Sequence, residues 1–279
     1  MILSFAPGRE LSPQALALSL PSVVALAAFV AAAWPGDRRA DALRKALLVG
    51  WIAQGISLVI DIAGVGSGIP GVRFGFAPAL SVTVWLVLAV YQLESRFVPL
   101  PGARRALAAC GVVVVVVAWI YPGQVHPQAT STWAPLHWLL GIASYALFGV
   151  AVLHALLLSR AERQMRDAAR RPADPARRGV PLLRLERLTY RFVGAGFVVL
   201  SAAIALGAWD ANPWRWGHKP VFSILAWFVF AGLLAGRRAF GWRGPKATGW
   251  LYTGAGLLLL AYVGSRFVLE VLLHRAASA

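Results

Sequence analysis

Residues 134–159 read "APLHWLLGIASYALFGVAVLHALLLS", and this stretch decides the fold class. It contains no aspartate, glutamate, lysine or arginine, and its two imidazoles belong to His137 and His154. An α-helix rises 1.5 Å per residue, so about 20 residues cross the hydrocarbon core of a bilayer. The stretch therefore predicts a transmembrane helix.

Seven further apolar runs of similar length flank this one on both sides. The chain is 59% hydrophobic and 14% charged, whereas a soluble domain has about a quarter of its residues charged. The sequence therefore predicts an all-α polytopic membrane protein, a single domain over residues 1–279 with about eight transmembrane helices. The predicted helices cover residues 14–34, 44–64, 75–95, 103–121, 134–159, 190–209, 219–236 and 247–271.

The basic residues alternate from loop to loop and so predict an orientation. The formal net charge is +16, and 21 of the 27 lysines and arginines lie in the first, third, fifth and seventh loops. Cytoplasmic loops carry such an excess, so we expect both termini outside the cytoplasm and a cytoplasmic arginine-rich loop over residues 160–189. Because the basic residues lie in loops beside the membrane, we expect their partner to be the lipid bilayer, through its anionic headgroups, and not a nucleic acid.

With that orientation, four of the five histidines lie at the outer side of the membrane, together with a group of tryptophans. Neutral imidazole is a good iron ligand, and aromatic rings can cover the flat apolar face of haem. Haem propionates need cations, which Arg73, Lys219 and Arg266 can supply. The outer histidines are His126, His137, His218 and His274, and the tryptophans are Trp133, Trp138, Trp209, Trp214 and Trp216.

Helical spacing places His137, Gly141, Ser144 and Phe148 on one stripe of the predicted helix. Two small residues beneath a histidine leave room for a bulky ligand. The alternative is small-residue packing against a neighbouring membrane helix, which needs no ligand. For His154, whose neighbours are leucines and alanines, we expect a structural role.

Four segments of the sequence, in order, resemble the cytochrome c assembly family, the haem-handling group that contains CcsA, CcmC and CcmF. The likeness covers roughly residues 75–274 and is greatest to the small YpjD-like members. It implies a bacterial inner-membrane protein that binds haem b, presents it at the outer face and works with other cytochrome c maturation proteins. The segments are "LHWLLGIASYALFGV" (136–150), "WRWGHKPVFSILAWFVFAGLLAG" (214–236), "GWRG" (241–244) and "AYVGSRFVLE" (261–270).

The resemblance also implies site residues. His137 stands where the family has a histidine before a serine–tyrosine pair, and His274 lies near the place of a second iron ligand. In the tryptophan-rich stretch, Gly217 and Pro220 replace two acidic residues of the family pattern, and His218 replaces a proline. The predicted haem-binding residues are His137, His274, His218, Trp214, Trp216, Lys219 and Arg266, with His137 and His274 as metal ligands.

These residues favour a haem-delivery or chaperone role over an enzyme, with a haem-lyase subunit as the alternative role. A protein that works without haem, either a transporter or a partner in a membrane complex, is the alternative class. A two-haem b-type cytochrome fits poorly, because no second helix carries a histidine pair to match His137 and His154.

The arginine asymmetry predicts where reporter fusions are active. A reporter joined after Ala279 should be active only outside the cytoplasm, and one inserted within residues 170–178 only inside it. Enzymatic assays of a periplasmic and a cytoplasmic reporter at both positions measure this directly. The reverse pattern at either position would contradict the assigned orientation.

Overall fold

The computed structural model describes residues 13–35, 40–65, 72–96, 103–121, 123–126, 133–168, 182–210 and 217–264. Eight α-helices, two short strands and a π-helical turn make up the secondary structure of this part of the chain. They are α1 (Pro13–Ala33), α2 (Ala40–Ile62), β1 (Val72–Phe74), α3 (Phe76–Glu94), α4 (Ala103–Ile120), β2 (Gln124–His126), α5 (Ala134–Ala168), α6 (Leu182–Asp210), α7 (His218–Phe240), α8 (Gly244–Leu259) and the π-turn (Leu260–Gly264).

The helices match the predicted transmembrane runs. Seven of those described, α2 to α8 with its π-turn, are long and apolar enough to cross a membrane, and α1 contributes a shorter apolar segment, Leu18–Ala33. The prediction of an all-α polytopic membrane protein is therefore confirmed. Strands β1 and β2 form one small antiparallel ribbon in which Val72 pairs with His126.

Two helices extend beyond their predicted ends into the arginine-rich region. Helix α5 continues to Ala168 and α6 begins at Leu182, so both ends of the segment 160–189 are helical. Polar residues can continue a helix past the apolar run, and Glu162 and Arg166, 3.7 Å apart at i and i+4, pair along this extension.

The described helices fall into two compact units. The first unit contains α1 to α4 and the ribbon, and the second contains α5 to α8 and the π-turn. In the first unit the ring of Phe29 is fully buried between two glycines. A Cβ added to Gly50 would lie 2.7 Å from this ring, and one added to Gly111 would lie 2.8 Å from it. The absence of side chains at both positions lets α2 and α4 approach α1.

A pair of tryptophans joins α2 to α3 in the same unit. Trp51 and Trp85 stack with their ring centroids 5.0 Å apart. Each indole N–H donates to the backbone carbonyl of the other residue, at 3.0 and 2.9 Å. Both polar groups are thereby satisfied within the apolar region, as burial in a membrane requires.

The first unit also buries a polar cluster from three helices. Gln54 donates from its amide nitrogen to the carbonyl and hydroxyl of Ser81, at 3.3 and 3.0 Å. The hydroxyls of Ser22 and Ser57 lie 2.5 Å apart, and Ser57 donates to the Asp61 carboxylate at 3.3 Å. These bonds satisfy the polar groups of the cluster apart from the Gln54 amide oxygen, and a buried polar group without a hydrogen bond would cost stability.

The second unit is a four-helix bundle in which α5 and α7 each pack against α6 and α8. Its centre is a stacked pair, Phe148 and Phe230, with ring centroids 3.8 Å apart. A Cβ added to Gly196 would lie 3.1 Å from the Phe148 ring, and one added to Gly254 would lie 2.6 Å from the Phe230 ring. The rings therefore occupy space that the two glycines leave.

At the end of this bundle opposite His137, one carboxylate joins α6 to the turn between α7 and α8. Glu186 accepts from Arg237 at 2.6 Å and lies 3.3 Å from Arg243. The Tyr190 hydroxyl donates to the carbonyl of Trp242 at 2.7 Å. The turn itself uses Gly241 in the left-handed conformation, with φ of 63°, which ends α7.

The packing of Phe29 predicts the effect of a single methyl group. Gly50→Ala should destabilise the protein by about 1–3 kcal/mol, because the displaced ring meets Gly111 on its other side. Thermal unfolding in detergent measures this. Gly249→Ala is the control: an added Cβ there meets nothing within 4 Å, so the change should be neutral or add up to about 1 kcal/mol of helix stability. Equal unfolding midpoints for the two variants would contradict the prediction.

Candidate functional site

His137 is fixed between two helices at one end of the second unit. It lies in the first turn of α5, where its backbone N–H donates to the carbonyl of Trp133 at 3.0 Å. Its half-buried ring faces α6, and Nδ1 lies 3.0 Å from the carbonyl oxygen of Ala203. A Cβ added to Gly207, one turn further along α6, would lie 2.8 Å from the ring carbon Cε1.

The contact with Ala203 determines which nitrogen of the ring carries the proton. A carbonyl oxygen can only accept a hydrogen bond, so Nδ1 must be the donor. In neutral imidazole the lone pair then belongs to Nε2. A ring held in this way can bind a metal ion through Nε2 without losing its contact with α6.

The predicted stripe below His137 has two different halves. Ser144 and Phe148 are 1% and 2% exposed, and the Ser144 hydroxyl donates to the carbonyl of Gly141 at 2.7 Å. Ser144 and Phe148 therefore pack inside the helix bundle and leave no room for a ligand. At Gly141 an added Cβ would meet no described atom outside its own stretch of helix within 4 Å. The helix therefore has open space one turn below His137.

Tyr145 connects α5 to the end of α8. Its hydroxyl donates to the carbonyl of Leu258 at 2.5 Å. The π-turn begins two residues later, and its Tyr262 ring lies 5.3 Å from the Lys219 ammonium at the start of α7. Three helices are thus connected at the same end of the bundle as His137.

A second aromatic residue lies against α6 from the other side. The Trp227 indole N–H donates to the hydroxyl of Ser201 at 2.7 Å, and Ser201 donates to the carbonyl of Phe197 at 2.8 Å. The rings of Trp227 and Phe197 are 5.2 Å apart. This tryptophan is therefore oriented by α6, two residues from the carbonyl that holds His137.

Three of the seven predicted site residues lie in the described part of the chain. They are His137, His218 and Lys219; His218 and Lys219 are the exposed first two residues of α7. The other four, Trp214, Trp216, Arg266 and His274, lie outside the described residues. Because α5 and α7 begin at the same end of the bundle, the structure brings the three described residues to that end.

His154 has the surroundings of a core residue. It is fully buried, its ring stacks on Phe192 at 5.3 Å, and Nδ1 lies 2.8 Å from the carbonyl of Val150 one turn earlier. These contacts agree with the structural role expected from the sequence.

Sequence analysis missed the residues that support the site, namely Ala203, Gly207 and Leu258. Ala203 and Leu258 act through their backbone carbonyls, for which the side chains give no signal. Gly207 carried a weak one, because glycine inside a helix costs stability and often marks a close approach.

The fold and this geometry define a class of protein: multi-pass helical membrane proteins in which a histidine at one end of a helix bundle is held by a hydrogen bond to a neighbouring helix. Comparison with known sequences narrows the class. The family model described as "Cytochrome C assembly protein" matches residues 41–273, which include parts of both units. The chain belongs to the cytochrome c assembly protein family, which confirms the resemblance noted in its sequence.

Its relatives include both kinds of protein named above. The inner membrane protein YpjD of Escherichia coli (strain K12) is 27% identical over 264 residues, which cover 81% of this chain and 98% of YpjD. The cytochrome c biogenesis protein CcsA of Synechococcus sp. (strain JA-3-3Ab) is 33% identical over 108 residues, covering 35% of this chain and 31% of CcsA. CcsA of Synechococcus sp. (strain JA-2-3B'a(2-13)) is 32% identical over 120 residues, covering 39% and 34%. The chain thus aligns with about a third of either CcsA protein, and no solved structure matches it.

Proposed function

We propose that this protein binds haem b at the outer face of the bacterial inner membrane and delivers it for cytochrome c maturation. The observation that carries the proposal is the hydrogen bond from His137 Nδ1 to the Ala203 carbonyl. Metal-binding histidines almost always donate their other ring N–H to such a partner, because it fixes the tautomer and the ring orientation. Membership of the cytochrome c assembly family supports haem as the cargo, and the name "inner membrane protein" of YpjD supports the proposed location.

The chemistry of the described residues fits haem as cargo. Haem iron takes only its axial ligands from the protein, and neutral imidazole is a common one. His137 presents Nε2 in the first turn of α5, and the open space at Gly141 lies one turn further along the same helix. We infer that a flat apolar ligand uses this space.

The remaining contacts of the haem are also part of the proposal. We assign Lys219 and Arg266 to its propionates and Trp214 and Trp216 to its face. His274 is the second axial ligand, as the family resemblance implies, with His218 as the alternative.

The proposed role is that of a haem carrier. We propose that residues 1–279 form a single domain, which the family match over residues 41–273 supports because it includes parts of both units. The outer location follows from the arginine asymmetry of the loops. Other cytochrome c maturation proteins are the proposed partners that receive haem, and a haem-lyase subunit is the alternative role.

One observation favours the haem-independent alternative, a transporter or a partner in a membrane complex. The buried cluster of Gln54, Ser57 and Ser81 places polar groups inside the membrane-spanning part of the first unit, where transporters often have their sites. The Gln54 amide oxygen has no hydrogen-bond donor among the described residues. A purified protein that takes up no haem would support this alternative.

The proposal predicts that haem is lost when His137 is removed. His137→Ala should lose most of the Soret absorbance of the detergent-purified protein, because the iron loses an axial donor. Haem content per protein is measured by absorbance and by the pyridine haemochrome assay.

The control is His154→Gln, which keeps a polar side chain of similar size beside Val150 and should keep normal haem content. Both variants must elute as folded protein. Equal haem in the two variants would remove His137 from the site.

The second axial ligand is tested by comparing His218→Ala with His274→Ala. We expect His274→Ala to convert low-spin haem to high-spin haem or to lose it, and His218→Ala to keep the low-spin spectrum. Absorbance and magnetic circular dichroism distinguish the two states. The opposite result would assign the ligand to His218, and two unchanged spectra would contradict both assignments.

A further inference from the structure

The ring of His137 occupies a position that exists only because residue 207 is glycine. A Cβ built on Gly207 would lie 2.8 Å from Cε1 of the ring and 3.2 Å from Nδ1. The first distance is well below the usual contact of 3.5–4.0 Å between carbon atoms. Any other residue at this position would push the ring away from α6.

Ala203 and Gly207 act together on one face of α6. They are four residues apart, so they lie one above the other on the helix surface. Ala203 provides the carbonyl that accepts from Nδ1 at 3.0 Å, and Gly207 provides the room in which the ring reaches it. A ring displaced from Gly207 cannot keep this bond at the same length.

We propose that Gly207 is a positioning residue for haem binding: it seats the His137 ring on α6 and thereby fixes Nε2 as the nitrogen that binds iron. This rests on the proposed function, since it assigns a role within the same site. Losing such a supporting contact typically weakens metal binding by 10–100-fold. We expect that loss for Gly207→Ala.

The other glycines of α6 show that this role is particular to Gly207. Gly196 receives the ring of Phe148, and an added Cβ there would lie 3.1 Å from it. At Gly194 an added Cβ meets nothing within 4 Å. Gly194→Ala is therefore the matched control, the same substitution in the same helix without a ring in contact.

The first test needs no haem. In protein labelled with ¹⁵N-histidine, the neutral His137 ring should show the signature of a proton on Nδ1, and its signals are identified by their loss in His137→Ala. Gly207→Ala should shift this ring towards the other tautomer or a mixture, whereas Gly194→Ala should leave it unchanged. An unchanged tautomer in Gly207→Ala would overturn the proposal.

A double-mutant cycle tests whether the clash involves this ring, even if Gly207→Ala folds poorly. Gly207→Ala should lower the unfolding midpoint in the parent protein and have little effect in the His137→Ala background, where the ring is absent. An equal loss in both backgrounds would overturn the proposal.

The last test uses haem titration of the parent protein, Gly207→Ala and Gly194→Ala. We expect 10–100-fold weaker binding for Gly207→Ala and parental affinity for Gly194→Ala. Equal affinities in all three proteins would overturn the role of Gly207 and leave haem binding intact. A parent protein that binds no haem would instead refute the proposed function. The tautomer measurement and the double-mutant cycle would then still test whether Gly207 positions the His137 ring on α6.

Discussion

Aromatic rings lying on glycine backbones hold the helices of both units together. Apolar side chains are no better solvated by each other than by lipid, so membrane helices associate through close packing and hydrogen bonds. Phe29 lies on Gly50 and Gly111, and Phe148 lies on Gly196. In each contact the ring occupies the space that a side chain at the glycine would otherwise fill, so the two helix backbones lie close together. The helix crossings of each unit depend on these positions.

The histidine of the candidate site uses the same packing with a different consequence. A phenyl ring on a glycine makes only van der Waals contacts, whereas the imidazole of His137 on Gly207 also reaches a helix carbonyl. The carbonyl of Ala203 then selects one tautomer. The packing contact therefore also determines where the ring proton lies, because the ring against Gly207 has a nitrogen, Nδ1, at the edge nearest the α6 backbone.

Much of the fold could be predicted from the sequence, because an apolar run about 20 residues long has few other physical solutions. The helix ends beyond Ser159 and before Tyr190 could not, since a polar helix outside the bilayer lacks an apolar pattern. The position of His137 on its stripe followed from helical spacing alone. Its partner did not, because Ala203 is 66 residues away and contributes only a backbone carbonyl.

The contacts of Lys219, Trp227 and His137 in the second unit differ in what they leave available to a ligand. Lys219 faces the ring of Tyr262, and Trp227 donates its N–H to Ser201. Both pairs join helices of the second unit, so their presence in the sequence is explained by packing even without a ligand. His137 differs, since its bond to α6 uses one nitrogen and determines that the other carries the lone pair. Of these three residues, His137 alone keeps a nitrogen lone pair, at Nε2, that can bind a metal ion.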